Sequence, residues 1–521
     1  MKTSPQQRMS PLRPDSDYTI LGTEATLQGL TAPSSPGPVD DPWLNAAKMV
    51  AHPPACLRRL ASLSLMTVAF QYEEARVSLS RIVWIACVAG GVALAADSAA
   101  VTFNKDVLPV LQKNCQSCHR PGEVAPMSLM NYSDARPWAK AIKTAVVSGK
   151  MPPWFADARV GHFKNNRMLS AADIQTLTAW ADNGAPEGDA KDKPAALAFE
   201  SGWNIKPDVI VEMPKPFQLP ASGTINYKFV LVKTNFDRDM WIESAEMRPG
   251  NNEVLHHGKV WVRPPGSHWL ENAIPGEAYE SETQRDIIGR NGAEEGNDIL
   301  GKFNPGLGAQ NFNVEGSAKF LPKGSDLVFE LHYTTNGKPT SDASKIGLVL
   351  AKNAPQRRYF FHAGPTATNL SIPARDGNAE VVSELTLDQE AKLVYAQPHM
   401  HLRGKDFELR VIYPTGETET VLKGLWNFEW QMGYELEKPL LLPKGTRLVA
   451  ISHFDNSANN RFNPDPAVRV VWGPQNWDEM SNVFIGVTFD VKIAPESVFR
   501  RSGPSLLPRG PSGPTLVTLV R

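Results

Sequence analysis

Cysteine, excess charge and long hydrophobic runs are all scarce in this sequence. Of 521 residues only four are cysteine, and none follows Cys118. The chain beyond that residue therefore cannot form internal disulfides, so its stability must come from packing. The formal net charge is -1, which gives no electrostatic footprint for nucleic acid or an anionic surface. We expect no nucleic-acid partner.

Proline and glycine are plentiful by contrast, at 43 and 38 residues. Short strand patterns dominate after residue 200, and this combination favours β-sandwiches with many turns. A chain of 521 residues also has room for about three domains. The fold class we expect is a small all-α domain followed by two antiparallel, jelly-roll-like β-sandwich domains.

The longest apolar run, residues 82–95, is too short to cross a bilayer comfortably. It ends in Ala93-Leu94-Ala95, a small-x-small pattern typical of signal-peptide cleavage. We interpret residues 76–96 as a signal peptide-like segment and residues 1–75 as a disordered or mis-annotated N-terminal extension. The protein is then exported to the periplasm or another extracytoplasmic space. An uncleaved anchor is the alternative, and only in that case would the chain be attached to a membrane.

The strongest local motif is Cys115-Gln116-Ser117-Cys118-His119. CxxCH is the attachment pattern of c-type haem, in which two thioethers tether the porphyrin and the histidine ligates the iron. A redox disulfide or half of a zinc site are alternatives, but no second cysteine pair exists to complete a zinc site. We therefore expect one haem c bound by Cys115, Cys118 and His119.

Helical patterns surround this motif and predict a small domain over residues 100–190. Trp138, Ile142 and Val146 recur every fourth residue. Residues 170–173 read Ser-Ala-Ala-Asp, which resembles a capping box at a helix start. The domain resembles a small class I cytochrome c.

A methionine downstream of the CxxCH motif is the second iron ligand in that cytochrome family. Met151 lies in a Gly-Lys-Met-Pro-Pro-Trp loop that resembles the ligand loop of the family. Other side chains compete for this role, namely Met127, Met168 and His162.

A turn followed by a strand occurs twice in the β-rich part of the chain. Residues 321–333 match residues 442–454 in the same order. Tandem sandwich domains of similar build leave such a repeat. We place the two sandwiches at residues 200–354 and 355–495, and we expect a disordered tail over residues 496–521.

His399 and His401 lie two residues apart on a predicted strand. Side chains at this spacing project from one face, so both imidazoles can hold one ion, while Met400 turns to the opposite face. Imidazole pairs suit zinc, copper, iron or nickel, so the pair alone does not choose the metal. Two surface histidines that happen to alternate are the alternative.

Three further histidines are candidate ligands. His332 shares a strand face with Glu330, opposite the predicted core face, and this suits a ligand that points toward a cleft. A solvated histidine is the alternative. His256 and His257 are neighbours, and neighbouring side chains point opposite ways on a regular strand. Both can reach one ion only at a bulge or a strand end.

Taken together, these residues resemble the copper type II, ascorbate-dependent monooxygenases, the family of peptidylglycine α-hydroxylating monooxygenase and dopamine β-monooxygenase. The resemblance covers residues 205–492 and is carried by four spaced motifs, at residues 254–257, 330–333, 399–405 and 478–482. In that family two sandwich domains each hold one copper across a solvent cleft.

The resemblance implies two copper sites with different roles. The electron-receiving copper would be held by His256, His257 and His332. The copper that binds oxygen, and with it the catalytic role, would belong to His399, His401 and Met480. Three imidazoles stabilise copper in either oxidation state, whereas a thioether favours Cu(I), the state that meets dioxygen. The cofactors implied are two copper ions beside the one haem c.

The chain departs from the family in ways that affect the copper sites. The family's disulfides are missing, and Gly258 follows the histidine pair where the family often has methionine. His453 occupies the repeat position of His332, where it is an extra or supporting ligand or, as the alternative, a surface histidine.

The substrate pocket departs from the family as well. In the peptide-hydroxylating relatives an arginine before the histidine pair holds a carboxylate, helped by an asparagine and a tyrosine. This chain keeps Asn482 but has Gln397 for the arginine and Phe484 for the tyrosine. The expected substrate is therefore neutral or aromatic near the reacting carbon, unless Arg403 replaces the missing charge.

The function we expect is that of an exported copper-dependent monooxygenase. It would hydroxylate a C–H bond of a small organic substrate with O2, and electrons would pass from the haem to the first copper and on to the second. Its partners would be the small-molecule substrate, O2 and a periplasmic electron donor. The alternative is a non-catalytic periplasmic electron-transfer or copper-binding haem protein. Met480 favours catalysis, because a copper store has no need for a labile oxygen site.

Overall fold

The computed structural model describes residues 100–123, 125–199, 202–280, 298–473 and 475–501. The expected N-terminal extension and signal segment lie outside these residues. The chain is mostly β-sheet, with 37% strand and 12% helix, so the expected predominance of β-structure is confirmed. Among the described residues, no helix has both the length and the apolar character that a membrane span requires.

The helical region, residues 100–199, contains four α-helices. They are α1 (Leu108–Asn114), α2 (Tyr132–Ala135), α3 (Ala139–Val147) and α4 (Ala171–Asp182). A π-helical turn, Phe103–Val107, precedes α1, and 3-10 turns lie at Arg136–Trp138 and Ala190–Asp192.

Capping and packing explain where these helices form. The Ser170 hydroxyl accepts a hydrogen bond from the Asp173 N–H at 3.1 Å, which confirms the predicted helix start. Leu111, Ile142 and Trp180 meet in one buried core. Trp138 does not join this core, because it lies in the 3-10 turn before α3 with 43% of its surface exposed.

The described part of the first β half, residues 202–280 and 298–354, contains twelve strands. They are β1 (Val209–Glu212), β2 (Phe217–Leu219), β3 (Lys228–Val232), β4 (Met240–Arg248), β5 (Leu255–Arg263), β6 (Ala278–Tyr279), β7 (Ile299–Phe303), β8 (Gln310–Asn311), β9 (Ser317–Leu321), β10 (Asp326–Tyr333), β11 (Thr340–Asp342) and β12 (Lys345–Leu350).

The second β half, residues 355–501, contributes eleven more strands. They are β13 (Arg357–His362), β14 (Ser371–Ile372), β15 (Ala379–Leu387), β16 (Ala391–His399), β17 (Gly404–Ile412), β18 (Thr418–Leu425), β19 (Tyr434–Leu442), β20 (Arg447–Phe454), β21 (Val470–Val471), β22 (Asn482–Asp490) and β23 (Phe499–Arg501).

Each half has its own five-stranded sheet, and the two halves share a larger one. The separate sheets have the orders β6-β3-β10-β5-β7 and β18-β17-β20-β15-β23. The shared sheet has nine strands, in the order β1-β12-β4-β9-β13-β22-β16-β19, with β8 paired to β4. β9 of the first half pairs in parallel with β13 of the second. The expected boundary at residues 354–355 therefore lies in a loop between two strands of one continuous sheet.

Two separate cores fill the space between the sheets. Leu331 of β10, Val260 of β5 and Ile346 of β12 belong to the first core. Leu409 of β17 and Val487 of β22 belong to the second. Apolar side chains from a five-stranded sheet and from the shared sheet meet in each core, which is the layer arrangement of a β-sandwich.

The sequence repeat corresponds to a structural repeat. The strands β10 and β20 each lie in the middle of a five-stranded sheet. The turn before each strand closes with the same hydrogen bond, from Ser325 N to Pro322 O at 3.2 Å and from Thr446 N to Pro443 O at 3.0 Å. Equivalent local sequence therefore builds the same central strand in both halves.

The end of the second half extends further than expected. We predict a disordered tail from residue 496, but Phe499–Arg501 form β23 and pair with β15. Residues 502–521 lie outside the described residues.

The helical region is joined to both β halves by several contacts. The segment after α3 runs beside the second half, where Asp157 N donates to Lys423 O at 2.8 Å and Lys164 N donates to Glu435 O at 2.9 Å. The Trp154 ring packs against Tyr434 with centroids 5.0 Å apart. These contacts fix the helical region to the second half through both backbone and side chains.

Candidate metal centre

A β-bulge brings the first three histidines together. Strand β10 pairs with β5 so that His332 lies opposite His257, whereas the next residue, Tyr333, lies opposite Leu255. His256 is therefore the extra residue of a bulge. A bulge re-aims a side chain that would otherwise point to the opposite face. The sequence indicates that His256 and His257 can share an ion only at a bulge or a strand end, and the structure contains such a bulge.

The three imidazoles approach each other through their Nδ1 atoms. His257 Nδ1 lies 3.2 Å from His256 Nδ1 and 3.3 Å from His332 Nδ1. All three side chains offer nitrogens that lie within 4.8 Å of one another. A tetrahedral site with metal–nitrogen distances of about 2.0 Å separates its nitrogens by about 3.3 Å. The group has the spacing of a three-histidine metal site.

The outer nitrogens of two of these rings have partners that favour metal binding at Nδ1. The Tyr227 hydroxyl lies 2.8 Å from His257 Nε2. The Asn476 amide lies 3.1 Å from His332 Nε2, and its Oδ1 is buried without a partner among the described residues. In the amide orientation that presents Oδ1 to the ring, Oδ1 accepts the His332 Nε2–H; in the other orientation Nδ2 donates to Nε2 and the ring proton lies on Nδ1. The first orientation leaves the Nδ1 lone pair free for a metal.

Burial also keeps the rings of this group uncharged. It lowers the pKa of His332 to about 3 and the pKa of His257 well below its ordinary value. A metal needs the neutral imidazole, so no proton must be displaced from these rings near pH 7.

The second group lies at the end of β16. The rings of His399 and His401 have centroids 5.2 Å apart, and only 4% and 1% of these residues is exposed. Met400 between them packs into the second core. The alternation predicted from the sequence is confirmed, while the alternative of two surface histidines is wrong.

Each ring of the second group uses Nδ1 for a protein contact. His399 Nδ1 lies 2.8 Å from Gln431 Oε1, and His401 Nδ1 lies 3.3 Å from the Asp478 carbonyl oxygen. The Asp478 carbonyl can only accept, so it places the His401 ring proton on Nδ1 and leaves Nε2 with a lone pair. Gln431 presents Oε1 to His399, which gives that ring the same tautomer, while the Gln431 Nε2 is buried without a partner among the described residues. His401 Nε2 is buried and has no partner among the described residues. A buried lone pair of this kind suits a metal ligand.

Glu479 fastens the second group to the segment that carries Met480. Its carboxylate accepts hydrogen bonds from the backbone N–H of His401 at 2.8 Å and of Arg403 at 2.6 Å. Burial raises the pKa of this carboxyl to about 8. Met480 follows directly and packs, partly buried, against the second core.

One buried ion pair lies between the two groups. Lys259 Nζ donates to Glu330 Oε1 at 2.7 Å, and Trp261 Nε1 donates to the other carboxylate oxygen at 2.7 Å. The positive charge of Lys259 adds to burial in lowering the pKa of two histidines in each group. The two groups therefore share one electrostatic environment.

Residues of the second half cover the first group. The Phe428 ring lies 5.4 Å from the His256 ring, and Asn476 binds His332. The expectation of histidines facing a solvent-filled cleft is wrong for these side chains, because His257 and His332 are only 4% and 7% exposed. The alternative of a solvated His332 is also wrong.

Met247 occupies the space beside Gly258, the residue that follows the histidine pair. The side chain that an alanine would place at Gly258 meets Met247 Cε at 2.5 Å. Met247 reaches this position from β4 in the facing sheet. A methionine therefore fills the space beside the histidine pair, although it comes from another strand.

Two other side chains have roles that the sequence does not reveal. The Arg403 guanidinium is buried and donates to Asn456 Oδ1 and to the Trp477 carbonyl, both at 2.9 Å. It is therefore committed to holding these segments together. His453 Nδ1 lies 2.7 Å from Asp406 on a neighbouring strand and belongs to neither histidine group.

The CxxCH motif follows directly after α1. Cys115 and Cys118 are free thiols, both partly buried. His119 Nδ1 lies 3.2 Å from the Met127 carbonyl oxygen, so the ring proton sits on Nδ1 and Nε2 is left for a ligand. The motif borders a pocket of about 120 Å³ whose opposite wall, in the first half, includes Met247 and Asn252.

Comparisons with known proteins leave the family open. No protein-family model matches the chain, and no curated protein matches it. The structure of infectious bursal disease virus Gx strain is 10% identical with a TM-score of 0.16, over 58% of this chain and 77% of that one. PNGF-II, in a C2 crystal, is 12% identical with a TM-score of 0.20, over 62% and 70%. TM-scores this low carry no argument, so a functional conclusion depends on the residues described above.

Proposed function

We propose that the chain is an exported copper-dependent monooxygenase that hydroxylates a C–H bond of a small organic substrate and receives its electrons through a covalent haem c. The observation that carries the proposal is the pairing of two buried histidine groups. The nitrogens of the first group lie within 4.8 Å of one another, and in the second group both Nδ1 atoms face protein acceptor oxygens. The jelly-roll character of the halves and the cytochrome c identity of the helical region belong to the same proposal.

The residues present fit copper at both groups. The first would be held by His256, His257 and His332 through Nδ1. The second would be held by His399 and His401 through Nε2 and by the Met480 thioether. Three imidazoles and a set of two imidazoles with one thioether are donor sets that copper accepts, and soft sulfur selects against magnesium or calcium. Copper bound there would supply one-electron chemistry with O2.

The protein groups have distinct tasks in this proposal. Tyr227 and Asn476 hold the tautomers of the first group, whereas Gln431 and the Asp478 carbonyl hold those of the second. The residues from Asn476 to Asp478 contact one histidine of each group. A single short segment therefore sets the relative position of both groups.

The helical region fits a covalent haem. Cys115 and Cys118 would form the thioethers, and His119 Nε2 would ligate the iron. Met127 binds the Nδ1 side of His119 through its carbonyl, and Met168 is 45% exposed. These observations weigh against Met127 and Met168, so Met151 is the proposed second ligand and His162 is its remaining competitor.

Two contacts support electron entry at the first group. Asn252 Nδ2 donates to the Gly122 carbonyl at 2.9 Å, and Arg248 pairs with Glu123 at 3.2 Å. Asn252 lies four residues before His256. The CxxCH loop is therefore docked against the segment that leads into the first histidine group, rather than being joined only by a flexible tether.

The second group offers a substrate few charged contacts. Both ends of the Gln397 amide are engaged within the protein, and Arg403 is committed to other segments. Asn482 pairs with His399 across β16 and β22, and its Oδ1 is buried without a partner among the described residues. These contacts support a neutral substrate with an N–H or O–H donor, bound beside the Phe484 ring.

The test is metal and haem content together with oxygen uptake. The purified exported protein should contain two copper ions and one haem c, and its reduced haem should be reoxidised on addition of O2 and substrate. Uptake of O2 with a hydroxylated product supports the monooxygenase. The same metal content without any oxygen uptake would instead support the electron-transfer or copper-binding alternative.

A further inference from the structure

Lys302 is a buried lysine in an unusual environment. It lies on β7 of the first half, and only 3% of it is exposed. Its ammonium nitrogen lies 4.0 Å from the centre of the Phe361 ring and 5.3 Å from that of Phe484, both in the second half. Among the described residues it forms no ion pair, and burial lowers its pKa well below the ordinary value.

Lys302 nevertheless has one specific hydrogen-bond partner in the second half. Its Nζ donates to Gln397 Oε1, which also accepts from the Tyr395 hydroxyl at 3.2 Å. A lysine nitrogen keeps N–H donors in either protonation state. The contact therefore does not require a charged amine.

The Gln397 amide has only one orientation in this environment. Its Nε2 donates to the Gln431 backbone carbonyl at 2.7 Å. Lysine donates toward one end of the amide, and a backbone carbonyl can only accept at the other. Lys302 thus fixes which end of Gln397 faces Gln431.

The next contact reaches a metal-binding candidate. Gln431 Oε1 lies 2.8 Å from His399 Nδ1. The backbone of Gln431 is held by Gln397, and its side chain holds the His399 ring. Lys302 in the first half is therefore connected to His399 in the second by three hydrogen bonds, which join through the side chain of Gln397 and through the covalent structure of Gln431.

We propose that Lys302 is a positioning residue for His399, holding it through Gln397 and Gln431 in the orientation that leaves Nε2 free for a metal. The inference deepens the proposed function, because it assigns to the first half a part in building the second metal site. It differs from a packing role, which an apolar side chain of similar length would fill equally well.

The decisive variant is Lys302→Met, which keeps the length and the aromatic contacts but removes the donor. The probe is Cu(I), whose affinity is measured by titration in competition with a chelating dye. X-ray absorption at copper distinguishes the second group from the first, because only the second group would supply a sulfur ligand, from Met480. Loss of a group that orients a metal ligand costs about 10- to 100-fold in metal affinity. We expect that loss at the second group, while affinity at the first group stays unchanged.

Gln397→Glu is a matched second variant that should fold well. The carboxylate still accepts from Lys302 and gains an ion pair, but it can no longer donate to the Gln431 carbonyl. It should therefore weaken Cu(I) binding at the second group as Lys302→Met does. If Lys302→Met fails to fold, Lys302→Gln decides the role of Lys302, because it stays polar but is too short to reach Gln397, whereas Gln397→Glu tests the link to Gln431.

Lys319→Met is the control for removing a buried lysine. Lys319 is fully buried, pairs with Asp298 and lies near aromatic rings, yet contacts no residue of the histidine groups. It should leave Cu(I) affinity at both groups unchanged. A second readout needs no metal: nitrogen NMR of histidine-labelled, metal-free protein should show the His399 proton on Nδ1 in the wild type and partly on Nε2 in Lys302→Met.

The outcomes separate this inference from the proposed function. Unchanged Cu(I) affinity and an unchanged His399 tautomer in folded Lys302→Met and Gln397→Glu would overturn the positioning role alone. Absence of copper binding at both groups in the wild type would overturn the proposed function, whereas the tautomer measurement would still test the role of Lys302.

Discussion

Replacing Gly258 by alanine tests how closely the two sheets of the first half approach behind the histidines. The added methyl would lie 2.5 Å from Met247 Cε and 3.2 Å from its Sδ. Carbon atoms in contact prefer about 3.5–4.0 Å, so about 1 Å of overlap must be relieved by moving Met247. Overpacking of this kind costs about 1–3 kcal/mol.

Removing Met247 should reverse the sign of the Gly258→Ala effect. Met247→Ala alone opens a cavity in the first core and should cost about 2–5 kcal/mol. In that background the alanine at position 258 meets no methionine, and its methyl burial contributes about 0.8 kcal/mol less the smaller cost of the remaining contact with the Glu330 backbone oxygen at 3.3 Å. The two substitutions should therefore couple by about 2–4 kcal/mol in favour of the double variant.

The assay is the free energy of unfolding of the two single variants and the double variant, from urea titrations of the metal-free protein. Gly308→Ala is the control, because an added methyl there meets no atom within 4 Å. Distant sites add within about 0.5 kcal/mol. Additivity of Gly258→Ala and Met247→Ala at that level would show that the close approach does not exist in solution.

Three further outcomes are expected. When denatured wild-type protein is extracted with acidified organic solvent, its haem should stay attached to the polypeptide. A variant with alanine at both Cys115 and Cys118 should release any haem that it binds. Complete release of haem from the wild type would refute thioether attachment. Met480→Ile should abolish oxygen uptake but still bind one copper ion. His332→Ala should stop reoxidation of the haem and should also still bind one copper ion. Loss of both copper ions in each variant would refute the proposal that the two histidine groups bind copper separately. Burial lowers the pKa of the five histidines, to about 3 for His332, so the unfolded chain binds protons that the folded chain does not. The free energy of unfolding of metal-free protein should therefore fall as pH drops below about 6.5. Each histidine contributes a slope of about 1.4 kcal/mol per pH unit only between its unfolded and its folded pKa, so the contribution of His332 extends to about pH 3 and that of His401 to about pH 4. His332→Ala should reduce the slope over that range by one proton; an unchanged slope would show that His332 is not buried in the neutral form.

The histidine positions could be predicted because local rules govern them. Alternation on a strand places His399 and His401 on one face wherever the strand lies, and the pairing of β5 with β10 realises the bulge that His256 and His257 require. The repeat before β10 and β20 was equally accessible, since its turn depends only on nearby residues. These features need no knowledge of which sheet packs against which.

The rest depends on contacts between distant parts of the chain. Nothing in the sequence around Lys302 distinguishes it from other lysines on strands. It contacts Gln397 only because β7 packs against the second half. Asn476 and Gln431 lie in irregular segments, where no periodicity indicates a direction. The parallel pairing of β9 with β13 is also hidden, because parallel strands are not joined by a tight turn and three other strands lie between these two in the sequence.

The place of β22 in the shared sheet has a consequence for how the chain folds. This strand comes near the end of the sequence but lies inside the sheet, paired with β13 on one side and β16 on the other. In a partly synthesised chain that ends before Asn482, each of those strands has an unpaired edge. Such exposed edges can pair with strands of other chains and lead to aggregation. The shared sheet can be completed only after β22 has been synthesised. Synthesis from the N-terminus therefore passes through long intermediates that need protection from aggregation until their final central strand arrives.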